Sequence, residues 1–266
     1  MRKFISAILI VILGLTILVG CSNSKNDQNL IRIGVSPVPH KELIELIEED
    51  LIKQGIKIEI KEFTDYIKPN LALADGELDA NFFQHEPYMN QFKEEKNIDI
   101  ISIGAVHIEP MGLYSSKFTS IEELEDGSEI AIPNDVTNGG RALLLLEKYD
   151  LIKLDNNAGI LATKEDIIEN PKNLKIKELE ASALPRILND VDVAVINGNY
   201  ALEAGLIPTK DSILLEEKDS PYANIIAIRN GEEKQDRFIK LMKVLQSEKI
   251  KKYIEENYNG GIIPAF

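Results

Sequence analysis

The sequence predicts an α/β protein built from two lobes. Segments with strand-like alternation are followed by segments with helical periodicity along the whole chain, which is typical of parallel or mixed sheets flanked by helices. There are too many predicted strands for one simple doubly wound sheet, and the pattern starts again near residue 111. We therefore expect residues 30–266 to form two α/β lobes, with functional side chains at the carboxyl ends of strands.

The first 29 residues form no part of the predicted fold. A short basic start is followed by the apolar run Phe4–Val19 and by Leu18-Val-Gly-Cys21, which contains the only Cys of the chain. This arrangement is typical of a secretory signal rather than of a spanning helix, and it resembles a bacterial lipobox. We therefore expect residues 1–20 to be removed, Cys21 to carry the lipid, and residues 21–29 to form a polar tether. The alternative is an incidental Cys in a transmembrane anchor.

The composition excludes several classes of function. The formal net charge is −14, and removing the leader makes the chain still more acidic because Arg2 and Lys3 are lost. Such a surface argues against binding to nucleic acid and against electrostatic binding to anionic lipid. A single Cys also excludes an internal disulfide framework.

The first half of the folded chain begins with a strand of alternating apolar residues. The strands expected here are 30–36, 56–63, 78–82 and 98–106. The helices expected between and after them are 40–54, 66–74 and 88–96. Apolar residues on one face favour the first of these helices, and Gly55 and Gly76 end the first and second.

The second half repeats the alternation with shorter elements. The strands expected are 111–115, 129–132, 174–179, 191–196, 213–215 and 224–229. Helices are expected at 142–149, 163–169, 182–188, 235–245 and 248–257, with a short one after Tyr200 and another starting at the capping box Ser120–Glu123. Ser182 is expected to cap its helix.

An aromatic cluster, Asn81–Tyr88, lies at a predicted strand-to-helix junction. It contains Phe83, His85 and Tyr88 in a chain with only 6% aromatic residues. Together with Tyr66 at another junction, it favours an apolar pocket with a few directed polar groups. The alternative is that these residues are ordinary core.

A glycine-rich turn, Asn138-Gly-Gly-Arg141, is expected to open a helix. Free N–H groups and the positive helix end attract an anion there, glycine admits a ligand close to the backbone, and Arg141 offers a fork that fits a carboxylate bidentately. The alternative is a turn with a surface arginine paired to one of many acids.

Three asparagines follow or begin other predicted strands: Asn197, Asn199 and Asn224. A side-chain amide both donates and accepts, so it can meet an ammonium and a carboxylate together, although each residue alone is also ordinary turn chemistry. As a set, the junctions suit a zwitterionic amino acid with an apolar tail.

Other classes of function remain as alternatives. A metal-binding lipoprotein is disfavoured because His40, His85 and His107 lack ligand spacing and no His-Glu-x-x-His occurs. An enzyme is disfavoured because no Gly-x-Ser-x-Gly and no partnered nucleophile is visible. A structural or adhesive lipoprotein would make the junction residues coincidental.

Ordered blocks along the whole chain resemble the NlpA family of lipoproteins, and within it the methionine-binding lipoproteins of methionine ABC transporters. The matching blocks are Asp65-Tyr66, Pro69-Asn70, Asp79-Ala-Asn81, Phe83-Gln-His85, Pro87-Tyr88, Val136-Thr-Asn138, Gly140–Leu146, Glu169–Ile176, Glu178–Ala181, Leu184-Pro-Arg186, Val195-Ile-Asn197, Tyr200-Ala201, Ser220-Pro-Tyr222 and Gly260-Gly261. The match runs from the lipobox to the C-terminus.

This resemblance implies a two-lobed periplasmic-binding-protein fold (type II-like) without enzymatic activity, with the ligand in the cleft. It also implies that Arg141 holds the carboxylate of L-methionine, that Asn197 and Asn224 hold polar groups, and that the aromatic cluster encloses the thioether. We expect residues 30–109 and 224–266 to form lobe 1 and residues 110–223 to form lobe 2.

The implied partners are an ABC permease and its ATPase. A lipid, such as palmitate, on Cys21 would hold the protein on the extracytoplasmic face of the cell membrane, and no cofactor is expected. The sequence departs from the family pattern at Phe82, Gly139 and Gly198-Asn199. These departures leave open D-methionine, a methionine-containing dipeptide or another amino acid as the ligand.

Overall fold

The computed structural model describes residues 29–217 and 220–266. The predicted signal peptide at 1–20, the lipidation at Cys21 and the tether up to residue 28 lie outside these residues. Within the two described ranges, no helix combines the length and apolar character needed to cross a bilayer.

Strands and helices alternate from the start of the described chain. The strands are β1 (Leu30–Val35), β2 (Lys57–Glu62), β3 (Ala80–His85), β4 (Ile100–Ile108), β5 (Gly112–Tyr114), β6 (Glu129–Pro133), β7 (Lys153–Leu154), β8 (Ile167–Glu169), β9 (Lys175–Leu179), β10 (Val193–Ile196), β11 (Leu214–Leu215), β12 (Ala223–Arg229) and β13 (Ile263–Pro264). The α-helices are α1 (Glu42–Ile52), α2 (Lys68–Ala74), α3 (Glu86–Lys96), α4 (Val136–Lys148), α5 (Gly198–Glu203), α6 (Pro208–Asp211), α7 (Asp236–Leu245) and α8 (Glu248–Asn257).

Two main sheets organise the molecule. The larger has the order β13-β4-β12-β3-β1-β2, and the smaller has the order β11-β5-β10-β6-β9. Both sheets are mixed. In the larger sheet, β1 pairs in parallel with β2 and β3, while β12 is antiparallel to β3 and β4. In the smaller sheet, β6 pairs in parallel with β9 and β10, while β5 is antiparallel to β10. The predicted α/β fold with two lobes is confirmed.

The chain changes sheets twice. It leaves the larger sheet after Ile108 and enters the smaller one at Gly112. It leaves the smaller sheet after Leu215 and re-enters the larger one at Ala223. The backbone N–H of Glu216 donates to the Met111 carbonyl at 2.8 Å, so the start of the second passage lies beside the first.

Each sheet has its own apolar core. In the larger unit, α1 packs Leu43 and Ile47 against Ile31 and Ile33 of β1, and Phe238 of α7 completes the cluster. In the smaller unit, the apolar face of α4 packs on β6 and β10, with Leu143 and Leu146 fully buried. The helical periodicity of the sequence thus marks the faces that the sheets bury.

Several predicted boundaries differ from the observed ones. The third strand extends to His85 rather than ending at residue 82, because antiparallel pairing with β12 continues to Asn224. Ser120 and Ser182 make no capping hydrogen bond, and short 3₁₀ helices stand at Ile121–Glu123 and Ala181–Ile187. The predicted helix at 163–169 is a 3₁₀ turn followed by β8.

Candidate ligand-binding site

A cavity with about 320 Å³ of empty space, part of it open to solvent, lies between the two sheets. Its lining comes from both units and from Glu109 in the first passage between them. The lining residues are Tyr66, Phe83, Gln84, His85, Tyr88, Glu109, Asn138, Arg141, Asn197, Gly198, Asn199 and Asn224. All nine residues that the sequence indicated as ligand-binding candidates therefore meet at one cavity, and Gln84, Glu109 and Gly198 join them.

His85 occupies the wall that β3 contributes. It ends that strand and caps α3, since its Nδ1 accepts the backbone N–H of Tyr88 at 3.1 Å. Its Nε2 therefore carries the proton and donates to Oδ1 of Asn138 at 3.2 Å. Burial, with Arg141 nearby, lowers the pKa of His85 to about 3. The imidazole is thus neutral at physiological pH and links the two units across the cavity.

Asn197 and Asn199 present unpaired polar atoms. Asn197 donates through Nδ2 to Asn138 Oδ1 at 2.8 Å, and Asn199 accepts through Oδ1 the hydroxyl of Tyr66 at 2.5 Å. The opposite amide atoms, Asn197 Oδ1 and Asn199 Nδ2, are buried without a hydrogen-bond partner in the described part of the chain. Buried polar atoms are rarely left unpaired, so the cavity is prepared for a ligand with both a donor and an acceptor.

Arg141 is 4% exposed and supplies a positive charge to the lining. Its Nε donates to Glu216 Oε1 at 3.0 Å, and its Nη2 donates to Glu216 Oε2 and to the Glu109 carbonyl oxygen. The guanidinium lies over the ring of Tyr222, with 4.3 Å between its carbon and the ring centroid. Among the described residues no hydrogen bond uses Nη1, which leaves that amino group for a ligand.

Aromatic rings enclose the remaining side of the cavity. Tyr66 lies 5.9 Å from Phe83, 5.8 Å from Tyr88 and 4.9 Å from Tyr200, measured between ring centroids. The hydroxyl of Tyr88 donates to the backbone oxygen of Tyr66 at 2.9 Å. The rings therefore form a connected aromatic wall of the cavity.

The helix that carries Asn138 and Arg141 begins earlier than the sequence suggested. Its N-cap is Asp135, whose carboxylate accepts the Asn138 backbone N–H at 2.9 Å. The predicted anion site on free N–H groups at Asn138–Arg141 is therefore wrong, because the protein's own carboxylate occupies that position. The glycines serve packing instead: a Cβ on Gly140 would stand 2.5 Å from the Ile160 carbonyl oxygen.

Phe82 does not change the cavity. It is fully buried in the core of the larger sheet and packs edge-to-face on His40 at 4.6 Å. Of the three departures from the family pattern, only Gly198 and Asn199 line the cavity. A Cβ on Gly198 would lie 2.8 Å from Cβ of Glu109, so glycine is required for the close approach of the two units.

His40 and His107 meet Glu109, a residue of the cavity lining, although the three lack ligand spacing in the sequence. Their potential ligand atoms lie within 4.8 Å of one another. Glu109 Oε1 accepts from His107 Nε2 at 2.7 Å, and His40 is held by Ser36 at 2.7 Å. Burial lowers the pKa of His40 to about 4 and that of His107 to about 3, and it raises the pKa of Glu109. Hydrogen bonds hold His40 and Glu109, whereas His107 Nδ1 is buried without a hydrogen-bond partner among the described residues.

Comparison with known proteins identifies related chains. The model of the NlpA lipoprotein family matches residues 31–266. The D-methionine-binding lipoprotein MetQ of Salmonella typhimurium is 42% identical over 258 residues, which cover 96% of this chain and 95% of the relative.

Solved structures agree with the family match. A nutrient binding protein from Burkholderia cenocepacia, bound to methionine, superposes with a TM-score of 0.86 at 45% identity and covers 89% of this chain and 100% of its own. A lipoprotein from Ruminococcus gnavus gives a TM-score of 0.88 at 44% identity, covering 90% of this chain and 100% of its own.

Proposed function

The chain belongs to the NlpA lipoprotein family, and from this premise we propose that it is the substrate-binding lipoprotein of an ABC importer with L-methionine as its ligand. The observation that carries the proposal is the pair of unpaired buried amide atoms, Asn197 Oδ1 and Asn199 Nδ2, in a cavity that Arg141 also lines. An amino acid offers an ammonium donor and a carboxylate acceptor to complete both.

The carboxylate of the ligand binds Arg141 through Nη1. Glu216 and the Glu109 carbonyl already use Nε and Nη2, so the bidentate contact expected from the sequence is taken by the protein itself. The unpaired Nδ2 of Asn199 supplies the second donor. Hydrogen bonds to a charged group in a buried site contribute about 1.5–3 kcal/mol each.

The ammonium group binds on the acceptor side of the lining. Asn197 Oδ1 accepts one of its hydrogens, and the buried carboxyl of Glu109 adds a negative group to the same cavity. Asn224 lines the cavity too, and its Oδ1 is shared with His40 Nε2 at 3.2 Å. Amides suit this role because each offers a donor and an acceptor.

The thioether side chain lies among Tyr66, Phe83, His85 and Tyr88. Contacts between sulfur and aromatic rings contribute about 0.3–1.5 kcal/mol each.

Residues 30–109 with 224–266 form lobe 1, and residues 110–223 form lobe 2. The positions of the two passages between the sheets support these boundaries. Contacts across the cleft hold the closed form: Tyr66 to Asn199, His85 to Asn138, and the Tyr200 hydroxyl to the Thr64 carbonyl at 3.2 Å. Hinge opening about the passages admits the ligand.

The closed, loaded protein presents methionine to an ABC permease driven by its ATPase. Lipid on Cys21, a residue outside the described ranges, holds the protein at the extracytoplasmic face of the cell membrane. The role is capture and delivery, with no chemical step.

D-Methionine is the second candidate ligand, because the Salmonella relative carries that name. A thermal-shift screen tests the proposal on residues 22–266, refolded to remove carried-over ligand. At one hundred times Kd a ligand adds about 2.7 kcal/mol, which raises Tm by about 5–11 °C at 2–4 °C per kcal/mol for a chain of this size. A shift with L-methionine supports it. A shift only with D-methionine, a dipeptide or a metal reassigns the ligand, and no shift rejects the binding function.

A further inference from the structure

Glu216 makes a two-point ion pair with the one arginine that lines the cavity in the described part of the chain. Its carboxylate accepts from Nε and Nη2 of Arg141, while the side chain of Glu216 is 17% exposed and lies outside the cavity lining. Glu216 therefore pairs with the Nε–Nη2 edge of Arg141 without lining the cavity.

Glu216 is itself fixed in place. It directly follows β11, and its backbone N–H donates to the Met111 carbonyl at 2.8 Å. Its Oε2 also accepts the Met111 backbone N–H at 3.3 Å. Backbone and side chain are both tied to the first passage between the sheets, so these hydrogen bonds hold the carboxylate beside Arg141.

The contacts around Arg141 leave its guanidinium one orientation. Glu216 holds the Nε–Nη2 edge, the Glu109 carbonyl accepts the second hydrogen of Nη2 at 2.8 Å, and the Tyr222 ring covers a face. Nη1 is the amino group that remains for the cavity. A fixed donor binds a ligand more tightly than a mobile one because less side-chain freedom is lost on binding.

We propose that Glu216 is a positioning residue that sets the carboxylate specificity of the site by presenting Nη1 of Arg141 alone to the ligand. The inference rests on the proposed function, since it assigns the carboxylate of an amino acid to Arg141. Without Glu216, the guanidinium of Arg141 would be free to rotate. Nε and Nη2 could then face the cavity in place of Nη1.

Titration calorimetry of Glu216→Gln with L-methionine and with L-methioninamide tests this inference. The amide lacks the carboxylate but keeps the ammonium and the thioether. We expect Kd for L-methionine to rise about tenfold, or about 1.4 kcal/mol, while Kd for the amide stays within about twofold, the range of independent effects. A merely structural role of Glu216 would change both affinities by the same factor and would leave their ratio unchanged.

Glu217→Gln is the matched control, because it removes the same charge one residue along the chain. Glu217 is exposed and pairs with Lys148 at 2.8 Å, away from the cavity. Its affinity ratio should equal that of the wild type. In an Arg141→Ala background, Glu216→Gln should add no further loss of L-methionine affinity.

Two outcomes overturn the inference: an unchanged ratio of the two affinities, whether both ligands lose affinity equally or neither does, or tighter binding of L-methionine by Glu216→Gln. The last would make Glu216 a competitor for Arg141. Wild-type protein that binds no methionine would instead reject the proposed function, and the two failures are therefore distinguishable.

Discussion

Replacing Arg141 by alanine removes the positive charge that, in the proposed function, receives the ligand's carboxylate. The side chain is 4% exposed and lines the cavity, so water compensates poorly for the loss of its hydrogen bonds. The ligand carboxylate would keep the Asn199 amide but would lose its charged partner. We therefore expect a large loss of affinity rather than a partial one.

The magnitude follows from the burial of the pair. Truncating one partner of a buried, hydrogen-bonded charge pair costs about 2–5 kcal/mol, which corresponds to a Kd raised by about 30-fold to 5,000-fold. The variant also leaves Glu216 without its partner, and we expect about 1–3 kcal/mol lower free energy of unfolding for that reason. Stability and affinity thus have to be measured separately.

Titration calorimetry gives the affinity of the variant for L-methionine. It is carried out at a temperature at which chemical denaturation shows that the variant is folded. Arg186→Ala is the matched control, since Arg186 is an exposed residue of the same sheet unit and lies outside the cavity lining. The control should bind L-methionine as the wild type does. Binding by Arg141→Ala within about threefold of wild type, or less than about 0.7 kcal/mol, would refute the carboxylate assignment.

Three further predictions concern an amide, a glycine and a histidine. Asn197→Ala should weaken L-methionine binding by about 1–3 kcal/mol in calorimetry, and unchanged affinity would remove Asn197 from the ammonium site. Gly140→Ala should lower the free energy of unfolding in urea by about 1–3 kcal/mol, because its Cβ would collide with the Ile160 carbonyl, and a stabilised variant would contradict that packing. His107 has its pKa lowered to about 3 by burial, so the unfolded chain binds a proton at pH 5.5 that the folded chain does not, and stability falls as the pH drops from 7. Between pH 7 and 5.5, the free energy of unfolding of His107→Gln should therefore fall by about 1 kcal/mol less than that of the wild type. Equal pH slopes for both proteins would contradict this prediction.

Much of the site could be predicted from the sequence, because short motifs stand where strands end. Asn197 follows a buried apolar strand, and Asn224 begins another. Polar residues at such points gather at one edge of a sheet. For the same reason the aromatic cluster at Phe83–Tyr88 reached the cavity as expected.

The partners of these residues could not be predicted in the same way. Glu216 stands among many acidic residues, and nothing in its local sequence sets it apart from Glu217. Its contact with Arg141 depends on the pairing of a two-residue strand with β5. A signal was available for Glu109, which is an acid between a predicted strand and Pro110, but its burial depends on the approach of both sheets.

Histidine and glycine show where sequence spacing misleads. His40 and His107 are distant in the chain, yet long-range packing brings both rings against Glu109. Gly140 was expected to make room for a ligand, whereas it makes room for the backbone at Ile160. In both cases the decisive neighbour comes from another element, which local patterns do not specify.

Titration of L-methionine into refolded, ligand-free protein comprising residues 22–266 tests the central claim most directly. The account predicts saturable binding of one ligand per chain, with a negative heat-capacity change as the thioether is buried among the rings. It also predicts much weaker binding of alanine, which has the same charged groups without the apolar tail. Absence of saturable binding, or equal affinity for alanine and methionine, would contradict the account.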